Sequence, residues 1–108
     1  MSDLVEDLLE DRRTMKKAAR ALKERGVALA RAEAEYQSAK HRRALEMKAE
    51  GIAATMIGLL IKGDPAVAVK MFERDCARVE YESAQEALNV YKLDARLLEA
   101  QIDREWRG

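Results

Sequence analysis

Apolar residues recur at seven-residue intervals from near the start of the chain. Leu8, Met15, Leu22, Leu29 and Tyr36 form one row, and Leu4, Ala18, Ala32 and Ala39 fill d-like positions between them. Five successive heptads predict an amphipathic helix whose seam seeks a partner helix. The helical pattern continues through Ala44, Leu45 and Met47 and stops at Gly51, a residue suited to the position just past a helix end. Ser2 or Asp3 can start the helix, and Glu6, three residues after Asp3, gives the spacing of a capping box. The first helix is therefore placed at 3–50. Gly26 interrupts it at a cost of about 1 kcal/mol relative to Ala. Either a break near residue 26 or a continuous helix packed closely at this glycine accommodates it.

Residues 52–61, IAATMIGLLI, are apolar on nearly every side. They predict a short hydrophobic tip over 52–62, with Thr55 as N-cap of one or two turns and Gly63 as their end. Asp64-Pro65 then supplies an N-cap followed by proline at the first helical position, a strong helix start. No breaker follows until Gly108, so a last helix is placed at 65–106. It carries two apolar stripes. The first is Val69, Phe72, Cys76, Val79, Ser83, Val90, Leu93 and Leu97; the second is Tyr81, Ala84, Leu88, Tyr91, Ala95, Leu98 and Ile102. Two stripes on one helix call for two neighbours, as in a bundle. At 1.5 Å per residue the long helices come to roughly 72 Å and roughly 64 Å. These lengths match well enough to pair. The expected fold is all-α: one helical domain over 1–108, a long antiparallel, coiled-coil-like hairpin with an apolar tip, assembling into a helical bundle. The second stripe, Tyr81, Leu88, Tyr91, Leu98 and Ile102, is expected to meet another copy or another protein.

Composition sharpens this picture. Charged residues make up 37% of the chain and aromatics only 5%, with a single proline. Such a chain has a thin core, which favours self-association. The net charge is zero, with 20 basic and 20 acidic residues, so no global pull toward nucleic acid or membrane follows. The distribution is uneven. Residues 1–11 carry five acids and no base, whereas residues 12–25 carry seven bases against Glu24 alone. Cys76 is the only cysteine, so no internal disulfide forms and a reducing compartment fits. The acidic start lacks the apolar core of a signal peptide. The longest uncharged run, Gly51 to Ile61, is about half of what a bilayer requires. A cytoplasmic location is expected.

Candidate chemistry is sparse. Arg12, Arg13, Lys16, Lys17, Arg20, Lys23 and Arg25 form a basic run, part of it at four-residue spacing. It reads either as a phosphate-contacting stripe or as a solvated face paired with acids of the last helix. Lys40, His41, Arg42, Arg43 and Lys48 form a second basic cluster. His41, the sole histidine, has no second ligand at metal spacing and no nucleophile to serve, and reads as a surface residue. Cys76 reads as a small buried hydrophobe between Phe72 and Val79. Trp106 is either packed on a neighbouring helix or an interface anchor. The tip residues Met56, Leu59 and Leu60, with Ile52 and Ile57, either fold over the open end of the bundle or form an interaction patch. No phosphate loop, zinc spacing or nucleophile elbow occurs. No catalytic residue, metal, cofactor or small-molecule substrate is expected.

The chain from Ala32 onward resembles a set of small helical proteins of phages and prophages. The resemblance lies in Ala32-Glu33-Ala34-Glu35-Tyr36, in the turn from Gly51 through Thr55-Met56-Ile57 to Lys62-Gly63-Asp64, and in the last helix. There it runs from Phe72-Glu73-Arg74-Asp75 through Tyr81 and Gln85-Glu86-Ala87-Leu88-Asn89 to Arg104-Glu105-Trp106. It covers about two thirds of the chain. More loosely, the layout resembles phage recombination mediator proteins, oligomeric helical hairpins that help load a recombinase on single-stranded DNA. That resemblance implies a homo-oligomeric accessory of DNA recombination or replication. Single-stranded DNA or a recombination protein would be the partner, with Arg12, Arg13, Lys16, Lys17, Arg20, Lys23, Lys40, Arg42 and Arg43 as phosphate contacts. The alternatives are a phage factor that targets a host protein and a virion-assembly protein without nucleic-acid binding. Candidate protein contacts are the second stripe, Trp106, Met56, Leu59 and Leu60.

Overall fold

The computed structural model describes residues 2–107 and the side chains of 3–107. It is all-α. Helix α1 (Ser2–Ala49) is followed by α2 (Ala54–Leu60), a single 3-10 turn (Ile61–Gly63) and α3 (Pro65–Arg107). No strand occurs among the described residues. Helix α1 runs through Gly26 without a break. Ser2 is already helical, so its role as a cap lies outside the described residues. Asp3 is not a cap but sits inside the first turn, where a carboxylate favours the positive end of the helix dipole.

Both ends of the turn region are fixed by backbone chemistry. Gly51 adopts φ +87°, the left-handed conformation that an L side chain resists. Its N–H donates to the Lys48 carbonyl at 3.0 Å, and the Ile52 N–H donates to the Met47 carbonyl at 3.1 Å. This is a Schellman motif, which satisfies two carbonyls that the end of α1 leaves open. Asp64 caps α3: the Val67 N–H donates to its Oδ2 at 3.2 Å, and Pro65 occupies the first helical position. Thr55, expected to cap the tip, lies inside α2. The helix starts after extended Ala53, whose carbonyl accepts from Met56 at 2.9 Å and Ile57 at 3.0 Å, and no side chain caps it.

The chain divides into two compact units. The first pairs α1 up to Arg25 with α3 from Tyr81 onward. Leu4, Leu8, Met15, Ala18 and Leu22 of α1 are half-buried there, facing buried Leu88 and Ala95 and half-buried Tyr81, Ala84, Tyr91, Leu98 and Ile102 of α3. Asp7, Glu10 and Asp11 lie beside Asp94, Leu97 and Leu98, while Ala18 and Ala21 lie beside Ala84 and Ala87, so the pair is antiparallel; Arg12 reaches Glu99 at 3.6 Å. The second unit spans Gly26–Glu80 and contains the turn. Its helices are also antiparallel, since Arg43 meets Asp64, Glu35 meets Lys70 and Glu33 meets Arg74. Met47, Ile61 and Val67 are buried in this unit. Among the described residues no large side chain is fully enclosed.

Helix α3 therefore presents one heptad row inward, and the second stripe belongs to it. Counting back by sevens from Leu88 gives Tyr81, Arg74 and Val67; the intervening positions are Tyr91, Ala84, Ala77 and Lys70. Every one of these residues is buried or half-buried. The expected assignment is thus reversed. The second stripe pairs with α1 of the same chain, and the first stripe is left outside.

Candidate interaction surfaces

In the first unit, an open groove runs beside the α1–α3 seam. Leu9, Met15, Ala19 and Leu88 form its floor, and Arg12, Arg13, Lys16 and Lys92 stand on its rim; its volume is about 630 Å³. Ala19, exposed and short, is among its lining residues. A shallower groove of about 320 Å³ includes Thr14, Ala18, Ala21, Ala84, Ala87 and Tyr91. The outer side of α3 exposes Val90, Leu93 and Leu97.

The basic run of α1 also lies in this unit. Arg13, Lys16, Lys17, Arg20 and Lys23 occupy outward b, c and f positions of the heptad and are all exposed. The expected pairing with acids of the last helix is realised at Arg12–Glu99. Arg13 instead pairs one turn back with Glu10, at 2.7 Å. That bond, with the charge of Arg13, holds the Glu10 carboxyl below its ordinary range. Among the described residues, Lys16, Lys17, Arg20 and Lys23 have no ion-pair partner.

In the second unit the seam itself is charged. Arg74, with a side chain only 17% exposed, donates to Glu33 Oε2 at 3.3 Å and pairs with Asp75 at 2.9 Å. Its guanidinium lies 4.5 Å from the centroid of the Tyr36 ring, in cation–π range. Partial burial opposes its charge, yet Asp75 and Glu33 outweigh that effect and raise its pKa. Glu33 is lowered, chiefly by the Gln37 amide that donates to it and then by Arg74. Lys70 bridges Glu35 at 3.5 Å and Glu73 at 3.2 Å. Lys40 Nζ stands 5.9 Å from the same Tyr36 ring.

Arg43 is committed to the turn. It bonds Asp64 at 2.9 Å, Glu46 at 3.2 Å and Glu50 at 3.4 Å. It therefore leaves the set of phosphate-binding candidates: its donors face three carboxylates, and freeing them would unpin the start of α3. Arg42 and His41 are exposed. The tip divides its apolar residues. Ile61 is buried and Ile57 half-buried, while Met56, Leu59 and Leu60 are exposed. A cleft of about 360 Å³ between tip and helices is lined by Tyr36, Lys40, Lys62, Val67 and Met71, among others.

Of the expected partner-facing residues, Leu88 is 8% exposed and Tyr81, Tyr91, Leu98 and Ile102 are half-buried, all in the chain's own seam. Trp106 is 70% exposed. Cys76, expected to be buried, is exposed on the outer side of α3. It lies among Val69, Phe72 (67% exposed) and Val79 (62% exposed), an apolar ridge at the c and f positions of the heptad. Those positions ordinarily face solvent, which is the sequence signal that identifies the ridge as a surface. Arg74 and Lys70 masked it by placing charge where a seam usually has Leu or Ile.

No group of acidic, histidine or cysteine residues is arranged to hold a metal ion among the described residues. No described helix is long and apolar enough to cross a membrane. Comparison with family models, with curated proteins and with solved structures gives no match.

Proposed function

We propose that this chain is a non-enzymatic helical interaction protein that works by packing exposed apolar helix faces against other helices. Surface area carries the reading. The chain exposes 7959 Å², whereas a folded monomer of 12.2 kDa exposes about 6,000 Å². The excess, about 1,900 Å², exceeds the roughly 800 Å² per partner of a standard protein interface. The exposed surface includes large apolar side chains: Phe72, Val79, Leu97, Leu59 and Trp106 are each at least 60% exposed. Exposed apolar patches of this kind mark binding faces. Light scattering after size exclusion tests the proposal: an assembly larger than one chain, or capture of a helical partner, is expected. A monomer at all concentrations that captures no partner overturns it.

A second reading rests on the outward, unpaired set Lys16, Lys17, Arg20 and Lys23. In an assembly these charges would repeat along a shared surface and suit single-stranded DNA, in keeping with the phage-recombination resemblance. It predicts affinity that falls steeply with salt. Reversing Lys16, Lys17 and Arg20 to Glu would abolish that binding. Affinity unchanged by the reversal would rule this face out.

A further inference from the structure

Three elements of the second unit converge on one apolar cleft, and every charge on its wall is positive. Helix α1 contributes Tyr36 and Lys40, the tip contributes Gly58, Ile61 and Lys62, and α3 contributes Val67, Ala68 and Met71. Ile61 and Val67, at 4% and 3% exposure, are the most buried parts of the wall. Gly58 leaves the tip side open, since a Cβ there would meet no atom within 4 Å. The volume, about 360 Å³, is at the lower end for small-molecule sites, which combine apolar walls with a few polar groups. A neighbouring cleft of about 400 Å³ shares Lys40, Gly58 and Ile61 and adds Gln37 and His41; it too is lined without a carboxylate.

The cations of this unit fall into two groups. Arg43, Lys70 and Arg74 are each held by carboxylates. Lys40 and Lys62 are exposed and meet no carboxylate among the described residues; Lys40 Nζ has only the Tyr36 ring, at 5.9 Å from its centroid. An ammonium group on a long stem keeps its charge in water while the stem lies along an apolar wall. A matching ligand therefore has an apolar body for Ile61, Val67 and Met71 and an anionic head for Lys40 and Lys62. A cationic ligand would meet two like charges, and a purely polar anion would gain nothing from the walls. We infer that this cleft binds a small amphipathic carboxylate, an aliphatic chain or single ring that ends in one acid group. The unbranched Met71 side chain adapts to the shape of the body. The cleft uses none of the exposed side chains that carry the interaction reading, and the inference does not rest on that reading.

Octanoate is the probe, with octylammonium and succinate as comparisons at equal ionic strength. Methyl-detected NMR on the full chain follows Ile61, Val67 and Met71. Octanoate is expected to shift these signals saturably and to bind at least roughly tenfold more tightly than either comparison, because head and body both contribute. K40E/K62E should weaken octanoate at least roughly tenfold and favour octylammonium instead. Both positions are exposed, and circular dichroism checks that the helices persist. K40Q and K62Q, which remove charge without adding acid, should each weaken octanoate as well and guard against a reversal that disturbs the fold. Octylammonium bound as tightly as octanoate, octanoate affinity unchanged in all three variants, or shifts spread equally over Leu4 and Leu98 of the first unit overturns the inference. So does a chain that ignores octanoate, whether or not it binds vesicles of anionic phospholipid; vesicle binding alone would point to the exposed Leu59 and Leu60 rather than the cleft. Each of these failures leaves the interaction reading intact, since light scattering tests that reading separately.

Discussion

Arg43 and Asp64 lie 21 residues apart in sequence, yet Arg43 Nε donates to Asp64 Oδ1 at 2.9 Å. The same carboxylate, through Oδ2, accepts from the Val67 N–H. One acid therefore starts α3 and ties that start to α1. The side chain of Asp64 is 12% exposed, so its charge is held mainly by these partners.

A pH dependence follows. Hydrogen bonding from Arg43 lowers the Asp64 pKa below its ordinary value of 3.8; burial opposes it, and the Val67 N–H adds to the lowering. A lowered carboxylate pKa contributes stability above the unfolded value and loses it as pH falls through the folded one. The denaturation midpoint is expected to hold from neutral pH toward 3.8 and then to fall. In D64N the amide can still cap, but the ion pair is gone. That variant should start less stable at neutral pH and lose less on acidification. Equal acid sensitivity in both proteins would show that Asp64 has no part in it.

Gly51 and Gly58 make a paired prediction. Neither has an atom within 4 Å of where a Cβ would stand, so space is open at both. Only Gly51 has φ +87°. G51A should cost about 1–2 kcal/mol from backbone strain alone, whereas G58A, inside α2, should be neutral or gain up to about 1 kcal/mol. Chemical denaturation of the two variants reads the difference directly.

Leu88 and Leu97 separate the two faces of α3. Leu88 is 8% exposed and Leu97 60% exposed. L88A should destabilise the fold by about 3 kcal/mol, in the range for a buried leucine. L97A should leave the fold within about 0.5 kcal/mol of wild type. Urea titration at low protein concentration measures both. The reverse order would return the inward role to the first stripe.

Tyr36 provides a local probe. The Arg74 guanidinium lies 4.5 Å from its ring and also holds Glu33. R74K keeps the charge but loses the planar, multidentate contact, so it should destabilise the second unit even though charge is conserved. Hydrogen exchange at amides around Glu33 and Tyr36 should speed up in R74K. Unchanged exchange there would show that a point charge suffices.

Much of the architecture was legible because local rules and tertiary packing agree. Gly51 reads as a helix stop and forms one, and Asp64-Pro65 reads as a helix start and makes the bonds of one. The heptad of α1 faces inward as its spacing requires. The two stripes of α3 could not be ranked in the same way. Both have 3–4 spacing, and the row that packs inward contains Lys70 and Arg74, which hydropathy places outside. Glu33, Glu35 and Tyr36 make those positions tolerable, and all three lie on the other helix. The sequence pattern of α3 alone therefore cannot reveal the choice. Thr55 failed as a cap for a different reason: the tip helix begins two residues earlier, on backbone bonds to Ala53 that no side chain advertises. The groove beside Ala19 was equally invisible, because residues of both helices line it.

The charged seam of the second unit has a consequence for how the chain finds its alignment. A row of Ala and Leu looks nearly the same after a slip of seven residues, so apolar packing alone distinguishes neighbouring registers poorly. Arg74 does not look the same. Shifting its contact by one heptad along α1 would replace Glu33 with Gly26 in one direction and Lys40 in the other. The first alternative removes the acid that meets this half-buried cation across the seam, leaving it Asp75 of its own helix, and the second sets it against a like charge. A single arginine thus works as an alignment mark, encoding in one residue which of several similar zippers is the correct one.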